Sequence, residues 1–140
     1  MKKDTSELLK ELASCESFTS FYNENEDCMV SGSLCAYLAE LLESKGIKKA
    51  DAIRKSELSE VYAYQIFSGL RIPERKKLLS LAVGMGLTLC EVQTLLKHCS
   101  YAPLYAKCPF DCIVIYGICR EMMVMDINSL LYEYGEETLG

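Results

Sequence analysis

Apolar residues recur at helical spacing along most of this chain, and nowhere do they alternate in the two-residue rhythm of a strand. In LCAYLAELLESK, Leu34, Leu38, Leu41 and Leu42 share one face. Ser33 before them suits a helix N-cap and Gly46 after them suits a left-handed exit, so a helix is predicted over 33–45. A shorter helix follows over 48–55 with Ala52 and Ile53 inward, then the turn SELS. The stretch SEVYAYQIFSGLRIP is a brief helix, 59–68, between a capping serine and Gly69, with Pro73 suited to the first turn of the next. That next helix, 73–84, buries Leu78, Leu79, Leu81 and Ala82. Thr88 with Glu91 makes a capping box for a helix over 89–98.

Upstream, DTSELLKELAS predicts a helix over 4–14 with Asp4 as its cap and Leu8, Leu9 and Leu12 on one side. The polar, acidic stretch CESFTSFYNENEDCMVSGS reads as an arm whose Phe18, Phe21 and Tyr22 dock on the main body, or as plain disorder. Downstream, KKLLSLAVGMGLTLCEVQTLLKHCSYAPL lies without gaps on DCIVIYGICREMMVMDINSLLYEYGEETL at a shift of 35 residues. Leu78 falls on Ile113, Val92 on Ile127, Leu95 on Leu130 and Leu104 on Leu139. The last third therefore reads as a second copy of the preceding helical hairpin, with helices near 109–120 and 124–134. The fold class is all-α, in three parts: an acidic N-terminal helix and arm (1–32), a five-helix domain (33–99), and a C-terminal hairpin (100–140) that packs on the domain or dimerises.

Charge changes this picture more than composition does. The formal net charge is −5, yet residues 34–97 carry 10 basic and 7 acidic groups, a local +3 between flanks of −4 (3 basic, 7 acidic) and −4 (2 basic, 6 acidic). A basic middle can meet a polyanion while the acidic flanks restrain non-specific binding. With 140 residues, half of them hydrophobic, the chain can bury a core without room for two large domains. No apolar run approaches a membrane span and the start lacks a secretory pattern, which predicts a soluble, cytoplasmic protein. Its eight cysteines include no Cys-x-x-Cys pair, and they read as unpaired thiols in a reducing compartment. His98, Cys99, Cys108 and Cys112 assemble on paper into a zinc site, but the expectation is no metal and no cofactor. No phosphate loop, zinc-protease motif or carboxylate pair accompanies the single histidine, so no catalytic residue is assigned and the chain is read as a non-enzyme.

The order of these elements carries a resemblance. LAELLESKGIKKADAIRKSELSEVYAYQIFSGLRIPERKKLLSLAVGMGLTLCEVQTLL resembles the Xre/Cro-type, lambda-repressor-like helix-turn-helix family in its first helix, its GIKKADA second helix and its LS turn. The likeness continues through the third helix, a Gly-x-Arg-x-Pro exit and an L-x-L-A-x-x-x-G-L-T-L-x-E end. It covers a little under half of the chain. Phe67 departs from the acidic residue often found at the matching family position. The tie between first and third helices is then apolar.

The resemblance implies that the third helix lies in the major groove of double-stranded DNA while the second crosses the phosphates. On that register Ala63 and Ile66 face inward, and Ser59, Glu60, Val61, Tyr62 and Gln65 face bases. Gln65 suits adenine, Glu60 the cytosine amino group and Val61 a thymine methyl. Lys48, Lys49, Arg71 and Arg75 suit phosphates. Glu60 also has a plain alternative as a first-turn acid favoured by the helix dipole, and Tyr64 as a packing residue. The implied function is a sequence-specific transcriptional regulator. It is expected as a homodimer through the C-terminal hairpin, where Ile113, Val114, Ile115, Tyr116, Met122, Met123, Val124 and Met125 offer an apolar excess. The alternative is a helical protein-interaction module that kept the scaffold and bound DNA weakly or not at all, its partner held by that hairpin or by the acidic arm.

Overall fold

The computed structural model describes residues 4–26 and 33–140. Among them are nine helices and no strand: α1 (Thr5–Ser14), α2 (Phe18–Asn25), α3 (Leu34–Lys45), α4 (Lys49–Ser56), α5 (Glu60–Ser68), α6 (Arg75–Gly84), α7 (Leu89–His98), α8 (Pro109–Cys119) and α9 (Val124–Glu133). Two compact units result, Met1–Ser31 and Gly32–Gly140. No helix among the described residues is long and apolar enough to cross a membrane.

In the first unit, Asp4 caps α1 by accepting the Glu7 N–H at 2.8 Å. The stretch expected as an irregular arm contains a helix instead. Ser17 accepts the Ser20 N–H at 3.3 Å and starts α2, along which Phe18 meets Phe21 and Tyr22 at ring separations of 6.4 and 5.9 Å. The acidic, polar composition masked this cap and its aromatic spacing. The buried Asn25 amide donates to the Phe21 carbonyl at 2.9 Å and to Glu11 at 3.2 Å, joining the two helices. Residues 27–32 of the expected arm lie outside the described residues.

In the second unit α6 is buried on nearly every side, through Leu78, Leu79, Ser80, Leu81, Ala82 and Gly84. Helix α4 lies against it so closely that a Cβ on Gly84 would come within 2.6 Å of the Ser56 nitrogen and 2.7 Å of the Ala52 oxygen. Ser80 reinforces the contact by donating its hydroxyl to the Ser56 carbonyl at 2.8 Å, so both buried polar groups are satisfied. Helix α3 exits at Gly46 with φ of 65°, and Lys45 in its last turn reaches Glu91 in the first turn of α7 at 2.8 Å. Pro73 does not begin α6. Glu74 is the N-cap, and buried Pro73 lies before it, its carbonyl accepting the Tyr101 hydroxyl at 2.5 Å. The core runs from Leu38 to Leu139 without a break at the boundary expected between 99 and 100.

The two C-terminal hairpins share their framework position by position. Helix α7 (Leu89–His98) shifted by 35 residues coincides with α9 (Val124–Glu133). Gln93 pairs its amide with both backbone groups of Leu104, donating to O at 2.9 Å and accepting from N at 2.7 Å. Asn128 accepts from the Leu139 N–H at 2.7 Å and reaches its O at 3.5 Å. Each corner needs a left-handed residue, but glycine supplies it only once per hairpin. Gly86 and Ser100 serve the first (φ 68° and 59°), Glu121 and Gly135 the second (54° and 73°). Inside the hairpins one carbon has changed sides: buried Ala82 and Val92 correspond to Gly117 and Ile127. A Cβ on Gly117 would sit 2.5 Å from the Ile127 Cγ1.

Two outcomes follow for denaturant unfolding of the full chain. Gly117→Ala is expected to cost about 1–2 kcal/mol through overpacking. Adding Ile127→Val, which restores the first hairpin's residues at both positions, recovers most of it. For the α3–α7 tie, the hydrogen bond from Lys45, with the Thr88 backbone donor, holds the Glu91 carboxyl below its ordinary 4.5. The stabilisation is therefore present above the unfolded-state value and lost as pH falls through the lowered folded value. Both side chains are about a quarter to a third exposed, so Glu91→Gln should cost only about 0.5–1 kcal/mol at neutral pH. That difference closes as the parent's carboxyl protonates.

Candidate nucleic-acid interface

Helix α5 is anchored on one side and open on the other. Ala63, Ile66 and Phe67 are buried, and α5 packs on α3 through this face. Phe67 is buried in the core, with the Lys49 ammonium 5.5 Å from its ring centroid. The turn from α4 is three residues, Glu57 to Ser59, with Glu57 in the left-handed region at φ 62°. The Ser56 hydroxyl accepts the Leu58 N–H at 3.3 Å, which shapes that turn from inside. Ser59 then accepts the Tyr62 N–H at 3.2 Å, and Gly69 ends the helix at φ 87°.

On the open side Glu60 and Val61 are exposed, Val61 by 70%, and Tyr62 and Gln65 are half-buried. Ser59 is exposed with its oxygen engaged in the cap, which leaves its hydroxyl hydrogen for an outside acceptor. Tyr64, expected to pack, is 42% exposed. Lys48 and Lys49 are exposed at the start of α4, and Lys48 stands as N-cap without a capping hydrogen bond from its own side chain. Among the described residues no three His, Cys, Asp or Glu side chains come together as metal ligands, so the paper zinc set does not assemble. His98 instead stacks on Tyr37 at 4.8 Å.

Two of the arginines expected at phosphates have partners within the fold. Arg71 does not stand alone over solvent. Its Nε donates to the Gln65 Oε1 at 3.0 Å, and its guanidinium lies 5.3 Å from the Tyr62 ring, with Lys77 at 5.2 Å from the same ring. Arginine is only a donor, so this bond turns the Gln65 oxygen toward Arg71 and leaves the amide N–H groups free. Burial raises the Tyr62 phenol above its ordinary value, while Arg71 pulls it the other way. Nothing local in the sequence singles out Lys77; its approach to the Tyr62 ring comes only from the folding of the chain.

Arg75 leaves that set. Its guanidinium grips the buried Asp111 through two bonds of 3.0 and 2.9 Å, and donates to the Ala102 and Pro103 carbonyls at 3.0 and 3.4 Å. Asp111 also accepts the Tyr105 N–H at 3.0 Å. Arg75 is thus the fastener between α6 and α8. Its position beside a proline exit suggested a surface cation, and nothing local in the sequence announces a partner 36 residues away.

No family model, curated protein or solved structure matches this chain. Removing Asp111 takes from Arg75 its one charged partner and leaves it only the Ala102 and Pro103 carbonyls. Asp111→Ala is expected to lower stability by about 2–4 kcal/mol in denaturant unfolding.

Proposed function

We propose that this protein is a sequence-specific DNA-binding transcriptional regulator of lambda-repressor-like helix-turn-helix design, acting in the cytoplasm as a homodimer, with α5 in the major groove. The observation that carries the reading is α5 itself: a nine-residue helix with one buried face and an exposed leading edge, bordered by Lys48, Lys49, Arg71 and Lys77. The start of α4, where Lys48 makes no side-chain cap, adds backbone N–H groups suited to a phosphate. In this arrangement Gln65 reads a base edge, and Arg71 both holds a phosphate and fixes the Gln65 amide. Glu60 and Val61 take the cytosine amino group and a thymine methyl.

A second reading has its own observation. Val61, Leu70 and Ile72 are 70%, 81% and 74% exposed, an apolar set around α5 that also suits a protein-interaction module.

Selection of bound fragments from random DNA, followed by gel shift at two salt concentrations, separates the two. The regulator retains a defined sequence and loses affinity steeply with salt. Lys49→Ala should weaken all sites and flatten the log–log salt slope by about one. Gln65→Ala should blur one base pair at a cost of about 1–3 kcal/mol. Arg71→Ala should do both, because it removes a phosphate contact and frees the Gln65 amide. Retention without sequence preference, or none at low salt, favours the interaction module.

A further inference from the structure

We infer that Cys35 and Cys99 form an oxidative modification site, at which a hydroperoxide converts the two thiols to a reversible disulfide beside the exit of α5. Both line one cavity of about 360 Å³, with Ile66, Gly69 and Arg71 on its walls. The site itself needs nothing from the regulator reading. Its consequence for DNA rests on that reading.

The packing of α3 beside α7 brings the two cysteines together. Lys45 in the last turn of α3 reaches Glu91 at 2.8 Å, and near the other end Tyr37 stacks on His98 at 4.8 Å, so the helices run in opposite directions. Cys35 lies just before Tyr37 and Cys99 just after His98, which places both at the same end of the pair. The Cys35 side chain faces the residue that ends α5: a Cβ on Gly69 would lie 3.1 Å from its Sγ. The same sulfur stands 3.1 Å from the Ser33 hydroxyl oxygen. Cys35 and Cys99 are both free and half-buried, whereas Cys15, Cys90, Cys112 and Cys119 are exposed.

Burial divides the roles. It pushes the Cys99 thiol above its ordinary value, which leaves the first attack to Cys35. The Cys35 sulfur takes the outer oxygen of the peroxide, the O–O bond breaks, and the alcohol, or water from hydrogen peroxide, leaves with the thiol proton. The Cys99 sulfur then attacks the sulfenic sulfur of Cys35. An S–S bond forms, the S–O bond breaks, and the hydroxyl leaves as water with the Cys99 proton. Two thiols are oxidised and one peroxide is reduced. No acid lines the cavity and Arg71 does, which suits the negative charge that develops on sulfur during attack. Closing the bond draws the first turn of α3 toward the end of α7, and the contact between Cys35 and Gly69 shifts with it. Arg71, which holds Gln65, follows Gly69 by two residues. The oxidised chain is then the one that reads DNA less well.

The test gives equimolar hydrogen peroxide to the full chain, fully reduced beforehand. After the remaining thiols are blocked with N-ethylmaleimide, peptide mapping should find Cys35 joined to Cys99 as the main product, and dithiothreitol should undo it. Exposure alone would direct oxidation to Cys15, Cys90, Cys112 and Cys119, so these four are internal controls. In Cys99→Ser, Cys35 should stop as a sulfenic acid that dimedone traps. In Cys35→Ser, Cys99 should stay reduced. A main product that joins other cysteines, Cys28 included, overturns the proposal, and so does a Cys35 that oxidises no faster than the exposed four. The parent chain alone decides this, so a variant that fails to fold does not blur the result. Once linked, the chain should lose about tenfold of its preference for selected over random DNA, and Cys35→Ser given the same peroxide should keep it. A linked chain with unchanged preference refutes the coupling to α5. A chain that forms the bond and never binds DNA keeps the site and sinks the regulator reading.

Discussion

The close approach of α4 to α6 is the constraint on which the second unit depends. Backbone atoms of Ala52 and Ser56 occupy the space a Cβ would need at Gly84, and the Ser80–Ser56 hydrogen bond fixes their register. An amide-lined contact of this kind cannot slide, because any shift would bury an unpaired carbonyl. With α4 held, the three-residue turn after it leaves little freedom to α5. The helix is then clamped by Ala63, Ile66 and Phe67 against α3, and its remaining side chains point elsewhere. Exposure of the leading edge is thus a consequence of how tightly its neighbour is packed.

The same logic explains why one face of the second hairpin stays open. The hairpins share corner geometry, helix bounds and the side-chain amide that clasps a leucine backbone. Their interiors exchange Ala82 and Val92 for Gly117 and Ile127, which keeps packing volume while moving it across the contact. What differs is the neighbour. The first hairpin has α4 across it, and the second is fastened to α6 by Arg75 and Asp111. Repeats with equal frameworks can therefore carry unequal surfaces.

Local chemistry in the sequence already contained the helices of the second unit. Ser33, Ser59 and Thr88 cap where their side chains allow, Gly46 and Gly69 stop where only a left-handed residue fits, and the leucines mark the buried faces. These are interactions between residues a few positions apart, so the one-dimensional record holds them. The repeat was readable for the same reason, since equal frameworks leave equal apolar spacing. Helix α2 escaped because its acidic composition outweighed a short cap signal.

Long-range partners had no such record. Arg75 and Arg71 look alike in sequence, each a few residues from a turn, yet packing sends one to a buried carboxylate and the other to Gln65 and Tyr62. Lys77 joins Arg71 at that ring only once α6 is docked. The division follows from range: capping, left-handed exits and helical periodicity are decided within a turn or two of the chain. Which cation remains free, and which apolar face remains uncovered, is decided by which helices come to lie against one another.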